Sequence, residues 1–218
     1  MKTIHRYIEQ TNLKPTINHM DVEQLVEEAK ANNFLGICVP PFWVKKAKRD
    51  LGESDIQLVT VIGFPLGYHI TKTKLVEMEK AIADGADELD LVLNISALKA
   101  DMTWPKVEIA KCSQLAHDHG KIIKVIIETA YLSDEEIVKM CNWCAEAGVD
   151  FVKTSTGFAP SGAKVEHIKL MRKTLPSSVG IKASGGIKNY ADAIAMINAG
   201  ADRLGTSSGV QIVQESNA

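Results

Sequence analysis

Apolar, largely β-branched runs punctuate the chain at residues 35–39, 58–62, 89–93, 122–127, 149–152, 179–181 and 203–205, the last of them the weakest. Between them, apolar residues recur at helical spacing over 21–31, 42–51, 72–84, 105–119, 133–147, 164–175 and 189–199. Short strands separated by helices of this length imply parallel pairing through crossover units. Strands that are apolar almost throughout agree, because a parallel strand is covered on both faces. A further weak strand near 7–13 brings the count to eight. Eight such units close a (β/α)8 TIM barrel, and 218 residues sits at the small end of that fold's range. An open doubly wound sheet is the alternative, but no Gly-x-Gly-x-x-Gly turn follows Val39, where that fold usually carries one. The pattern therefore predicts an α/β protein, one barrel domain over residues 1–218, with no low-complexity linker to divide it.

A small joint recurs in this alternation. Asp84-Gly85-Ala86-Asp87, Ala147-Gly148-Val149-Asp150 and Ala199-Gly200-Ala201-Asp202 each fall where a helix gives way to a strand. The glycine is expected to supply the left-handed residue that stops the helix. His119-Gly120 and Asn32-Asn33 are expected to serve the same purpose.

Composition narrows the function classes. A net charge of −2, with 45% hydrophobic and 24% charged residues, is that of an ordinary globular protein. It gives no support to a nucleic-acid or membrane-surface role, either of which calls for a basic excess. The first residues lack the apolar run of a signal peptide, and no stretch approaches a bilayer-spanning length, so the expected location is the cytoplasm. Cys141-Asn142-Trp143-Cys144 has redox or zinc spacing, but it lies inside a predicted helix with no second pair. Two cysteines on one helical turn are expected to be small apolar fillers.

In a barrel of this type the site lies at the C-terminal ends of the strands. The polar residues there are the candidates. Strand four carries Asp90, strand five ends in Glu128-Thr129, strand six ends at Lys153, and strand seven runs through Lys182 into Ser184-Gly185-Gly186. Strand alternation puts Lys153, Lys182 and Asp90 on faces that converge on one small volume. Neighbouring amines disfavour each other's charge, desolvation pushes the same way, and a neutral lysine is a nucleophile toward carbonyls. Against this stands the common strand-end lysine that snorkels to solvent or forms a structural ion pair. Lys124 and Glu128, on one face of strand five, illustrate that second case and are expected to pair. Pattern alone leaves the two readings of Lys153 open.

The loops after strands seven and eight, Gly185-Gly186 and Gly205-Thr206-Ser207-Ser208-Gly209, precede a short helical segment at 210–214. Phosphate sites in these barrels are often built from those two loops and the N-terminus of a short extra helix.

The motifs together resemble the deoxyribose-phosphate aldolase family. They are Lys153-Thr154-Ser155-Thr156-Gly157-Phe158, Lys182-Ala183-Ser184-Gly185-Gly186-Ile187, Gly205-Thr206-Ser207-Ser208-Gly209, Thr60-Val61-Ile62-Gly63-Phe64-Pro65-Leu66-Gly67, Gly85-Ala86-Asp87-Glu88-Leu89-Asp90 and Lys124-Val125-Ile126-Ile127-Glu128-Thr129. The resemblance runs from about residue 8 to 213. It implies a lyase without cofactor or metal, interconverting 2-deoxy-D-ribose 5-phosphate with D-glyceraldehyde 3-phosphate and acetaldehyde. It further implies a Schiff base on Lys153, with Lys182 lowering that amine's pKa and Asp90 acting with Lys182 and a water in proton transfer. The turn after Lys153, Thr156 included, would contact substrate. Gly157, Gly185, Gly186, Gly205, Ser207 and Ser208 would hold the phosphate, helped by Lys188, while Cys38 would be a neighbour only. Partners would be the phosphosugar and aldehyde, together with further copies of the chain in a dimer or tetramer. One departure is Glu9, where the family usually has aspartate in a supporting polar network.

Overall fold

The computed structural model describes residues 3–216. Eight parallel strands form a closed barrel in sequence order: β1 Ile8–Thr11, β2 Gly36–Val39, β3 Gln57–Ile62, β4 Glu88–Val92, β5 Ile122–Ile126, β6 Phe151–Lys153, β7 Gly180–Ser184 and β8 Arg203–Thr206. Closure is made by β8 against β1, where Glu9 lies opposite Gly205. The helices are α1 His19–Ala31, α2 Val44–Leu51, α3 Thr71–Ala83, α4 Ile95–Lys99, α5 Trp104–Asp118, α6 Asp134–Glu146, α7 Val165–Thr174, α8 Tyr190–Ala199 and α9 Gly209–Ser216. The barrel expectation holds, and the weak first strand takes its place between β2 and β8.

Two differences have local causes. The helix expected from residue 42 begins with a tight turn over Pro41–Trp43, entered through an extended Pro40, and only then becomes α2. The five-residue α4, held by an N-cap from the Asn94 side chain, is too short to declare itself by periodicity. Side-chain caps start α1, α6 and α8, while α3, α5 and α7 begin without one. Asn18 with Asp21, and Ser133 with Glu136, form capping boxes at α1 and α6.

The repeated joint does more than stop helices. Gly85, Gly148 and Gly200 take φ of 106°, 69° and 115°, and Asn33 reaches 51°. The aspartate two residues after each of those glycines accepts an N–H from the preceding strand of the barrel. Asp87 accepts from Leu58 at 3.0 Å, Asp150 from Ile123 at 2.9 Å and Asp202 from Ile181 at 2.8 Å. The joint is thus a repeated stitch at the N-terminal rim, pairing backbone donors that would otherwise be orphaned.

The core has two parts. Between sheet and helices lies a continuous apolar layer that includes Phe34, Ile37, Leu58, Met78, Leu89, Leu91, Ile123 and Ile181, together with Cys141 and Cys144 on α6. Both cysteines are buried free thiols, and burial pushes Cys141 up to about 12. Inside the barrel the apolar cluster is small: Cys38, Val59 and Val61, with Leu13 and Phe64 against it. Much of the remaining interior is charged. A separate ion pair is sealed outside the barrel, where Lys74 on α3 meets Glu108 on α5 at 2.6 Å and the Val92 carbonyl at 2.8 Å. Thr71 donates to the other Glu108 oxygen at 3.1 Å, so the pair is satisfied.

Removing one member of such a pair leaves the other buried and uncompensated. Glu108→Ala is expected to lower stability by about 3–5 kcal/mol, read as a shift in the denaturant midpoint at unchanged slope.

Candidate active site

The register of the strands fixes which side chains meet. Asp90 on β4 lies opposite Lys124 on β5, Ile126 opposite Lys153 on β6, Lys153 opposite Lys182 on β7, and Lys182 opposite Arg203 on β8. All point inward, as alternation requires. Asp90 Oδ2 accepts from both Lys153 Nζ and Lys182 Nζ at 2.8 Å, and Asp90 Oδ1 accepts from Lys124 Nζ at 2.9 Å. Lys182 also donates to Glu9 Oε2. Lys124 contacts Glu88 at 2.5 Å, and Arg203 donates to Glu88 at 2.8 Å and to Glu9 at 3.1 Å. Apart from Arg203, which is partly buried, every one of these groups is buried.

Room for these side chains comes from missing ones. A Cβ on Gly205 would stand 3.0 Å from Lys182 Cε, and one on Gly180 would stand 2.3 Å from the Phe151 ring. The Phe151 ring in turn carries the Arg203 guanidinium 4.7 Å from its centroid, closing the barrel below the charges.

The surroundings drive the two central amines apart. Burial pushes Lys153 down, Asp90 opposes this, and the Lys182 charge adds to the fall, so its pKa lies below the ordinary lysine value. Lys182 suffers the same burial, but Asp90 and Glu9 outweigh it and hold it above the ordinary value. Burial would also lower Lys124, yet Asp90, Glu88 and Glu9 raise it. For Asp90, burial is overcome by Lys124, Lys153 and Lys182, and its carboxyl stays well below the usual range. Glu9 is brought to about 2 in the same way, with Lys124 and Lys182 outweighing burial. Burial pushes the Cys38 thiol up to about 11, so it is neutral at ordinary pH.

A cleft of about 670 Å³ opens above this floor. Lys153, Thr156, Gly157, Gly185, Gly186, Lys188, Gly205, Ser207 and Ser208 all line it. Its glycine walls present main chain, since there is no side chain to cover it. The other expected residues lie in the barrel interior and not among the lining residues: Lys182, Asp90 and Cys38 surround Lys153, and Glu9 stands behind them against Lys182. The loops of the mouth are joined to one another. Thr154 Oγ1 donates to the Ser184 carbonyl at 3.2 Å, Ser184 Oγ to the Ser155 carbonyl at 2.6 Å, and Thr206 Oγ1 to the Ile187 carbonyl at 2.7 Å. The hydroxyl-rich turn after Lys153 therefore works partly within the protein: Thr154 and Ser155 are buried behind the wall, and only Thr156 reaches the cleft.

One sequence expectation is corrected. Lys124 and Glu128 do not pair. Lys124 is taken by Glu88 and Asp90, and Glu128 lies beyond the end of β5 in a left-handed conformation, φ 52°, which takes it out of the strand's alternation. Its Oε2 accepts the Thr156 N–H at 3.1 Å and the Thr156 hydroxyl, and burial lifts its carboxyl above the ordinary range. Sequence reasoning also passed over Glu88, Lys124 and Arg203 as interior groups. For two of them the available signal was spacing along the strand, Glu88 being two residues from Asp90 and Arg203 two from Gly205, whereas Lys124 is placed by register, directly across from Asp90.

A closed parallel barrel with a polar cleft at the C-terminal ends of its strands, and paired amines at the base of that cleft, defines a barrel enzyme with a lysine-centred site. The chain belongs to the DeoC/LacD family of aldolases, whose pattern matches residues 3–215. It is 51% identical over 216 residues to the deoxyribose-phosphate aldolase of Thermococcus kodakarensis, covering 98% of this chain and 96% of that one. It is 49% identical over 211 residues to that of Brevibacillus brevis, covering 96% and 95%. Among solved structures it superposes with TM-score 0.90 and 33% identity on the tetrameric deoxyribose phosphate aldolase from Aeropyrum pernix, covering 99% of this chain and 91% of that one.

Glu128→Ala leaves the Thr156 N–H and hydroxyl without their acceptor in a buried turn. The expected loss of stability is about 1–3 kcal/mol, with Glu128→Gln closer to the unaltered protein because one acceptor oxygen remains, both measured by chemical denaturation.

Proposed function

We propose that this chain is a Schiff-base-forming deoxyribose-phosphate aldolase. It cleaves 2-deoxy-D-ribose 5-phosphate reversibly to D-glyceraldehyde 3-phosphate and acetaldehyde. The observation that carries the reading is one oxygen, Asp90 Oδ2, held 2.8 Å from two amines whose surroundings separate them, one depressed and bordering the cleft, the other raised and sealed. Groups pushed apart in this way are suited to different roles in one reaction.

In the cleavage direction the Lys153 amine attacks the aldehyde carbon of the open-chain sugar, and loss of water gives a protonated imine. The imine draws the electron pair of the carbon–carbon bond between C2 and C3 as the C3 hydroxyl proton leaves. Glyceraldehyde 3-phosphate departs and an enamine remains on Lys153. Protonation of the enamine and hydrolysis release acetaldehyde and restore the amine. Lys182, charged and bound to Asp90, is the proton donor and acceptor for these steps, with Asp90 as the shared base and a water as carrier. The phosphate lies against Gly157, Gly185, Gly186, Gly205, Ser207 and Ser208, near the start of α9, with Lys188 at the rim. Glu9, reaching both Lys182 and Arg203, holds Lys182 in place.

The same reading extends to a cytoplasmic homo-oligomer, a dimer or tetramer. Among the described residues no helix is long and apolar enough to cross a membrane. Pro41, His69, Thr73 and Val76 line a surface groove, and Phe42, Tyr68 and Ile70, beside them in sequence, are exposed. Light scattering on the purified chain is expected to give two or four times the monomer mass of 23.8 kDa; a monomer would remove this part of the proposal.

The central test is trapping. Acetaldehyde with borohydride is expected to leave one ethyl group on Lys153, located by peptide mass spectrometry. An adduct only on surface lysines would overturn the reading. In parallel, Lys182→Leu is expected to fold but lose turnover by on the order of 10²–10⁴-fold.

A further inference from the structure

Six of the interior charges form a closed ring of alternating sign. Arg203 contacts Glu88, Glu88 contacts Lys124, Lys124 contacts Asp90, Asp90 contacts Lys182, Lys182 contacts Glu9, and Glu9 returns to Arg203. Each member of the ring touches two groups of opposite sign along it, and Lys124 also comes within 3.7 Å of Glu9 across it. Lys153 stands outside it with one ionic contact, Asp90 Oδ2, an oxygen that Lys182 already occupies. Among the described residues no second carboxylate lies within ion-pair distance of Lys153. Ile126 is its neighbour on β5, the neutral Cys38 approaches from β2, and Glu128 beyond β5 is bound to Thr156 and acts on Lys153 only at longer range.

We propose that Lys124 is the positioning cation that keeps Lys153 uncharged, because with Lys124 present Glu9, Glu88 and Asp90 are matched one for one by Lys124, Lys182 and Arg203 and a fourth buried cation has no anion left. This rests on the proposed role of Lys153 as the Schiff-base amine. Buried charge persists where it is paired, and an excess group in such a site gives up its proton. Lys124 borders no part of the cleft, so it acts on the reaction only through Asp90 and the count of charges.

The count makes predictions of opposite sign for neighbouring residues. Lys124→Met leaves three carboxylates against two ring cations, and the Lys153 ammonium fills the vacancy. The acidic limb of the kcat/KM profile, which reports the free enzyme, is then expected to move to higher pH. Glu88→Gln leaves two carboxylates against three ring cations, and the limb is expected to move to lower pH. The double substitution leaves two against two, and the limb is expected to return toward its native position. At these separations one charge shifts a neighbour by on the order of one to two pH units. The rate of acetaldehyde trapping on Lys153, followed against pH by mass spectrometry, gives a second readout that does not depend on turnover.

A merely structural Lys124 would lower activity or stability without this pattern of limbs. Glu88→Gln and the double substitution keep the test decisive if Lys124→Met fails to fold. An adduct on Lys153 whose pH dependence ignores the substitutions overturns this inference alone. Absence of the adduct in the unaltered protein overturns the proposed function and this inference with it.

Discussion

The structure depends on sealing charge inside a barrel without leaving any of it alone. Desolvating an ion costs several kcal/mol, and only close, well-placed counter-ions offset it. The ring through Arg203, Glu88, Lys124, Asp90, Lys182 and Glu9 meets that condition with members drawn from β1, β4, β5, β7 and β8. No pair of adjacent strands contains it. It exists only when β8 closes on β1, so the electrostatics of the site and the closure of the fold are one condition.

That arrangement divides labour along the barrel axis. At the base, Phe151 and Arg203 plug the interior, with Gly180 leaving space for the ring. In the middle the charges lock one another. At the top, Lys153 borders the cleft, and the glycine-lined loops offer main chain to whatever enters. A buried ion ring of this kind is weak evidence for stability, because an apolar filling of equal volume often does as well. Its significance is better understood through its proposed effect on the amine outside it, Lys153.

Much of this was legible in the sequence. The alternation of short apolar runs with helical segments gave the barrel, and strand parity brought Lys153, Lys182 and Asp90 together. The loops carrying Gly185, Gly186, Ser207 and Ser208 stood out by composition and position, and all of them reach the cleft. What stayed hidden was register. Lys124 invited pairing with Glu128, four residues on along the same strand face, because sequence shows spacing along a strand and not what lies across from it. Its partners came from β4, and the left-handed backbone at Glu128 broke the alternation on which the pairing rested. Arg203 opened the least convincing run, so its inward side chain drew no attention. The aspartates of the repeated joint were visible as a pattern, but their office, accepting an N–H from the preceding strand, required the fold.

The approach of Gly162 to Gly185 sets a direction for the site. A Cβ on Gly162 would fall 2.1 Å from the Gly185 carbonyl oxygen, and the Ala163 N–H is shared between the Ser184 and Gly185 carbonyls at 3.0 Å each. Main chain rests on main chain there, with no side chain between that could shrink or turn aside. The wall formed by the segments after β6 and β7 is consequently incompressible. The margin lined by Asn12, Leu13, Lys14 and Gln24 is of another kind, its side chains replaceable one at a time. Room for a longer substrate is therefore more readily made at side chains such as those of the β1–α1 margin than against this main-chain wall.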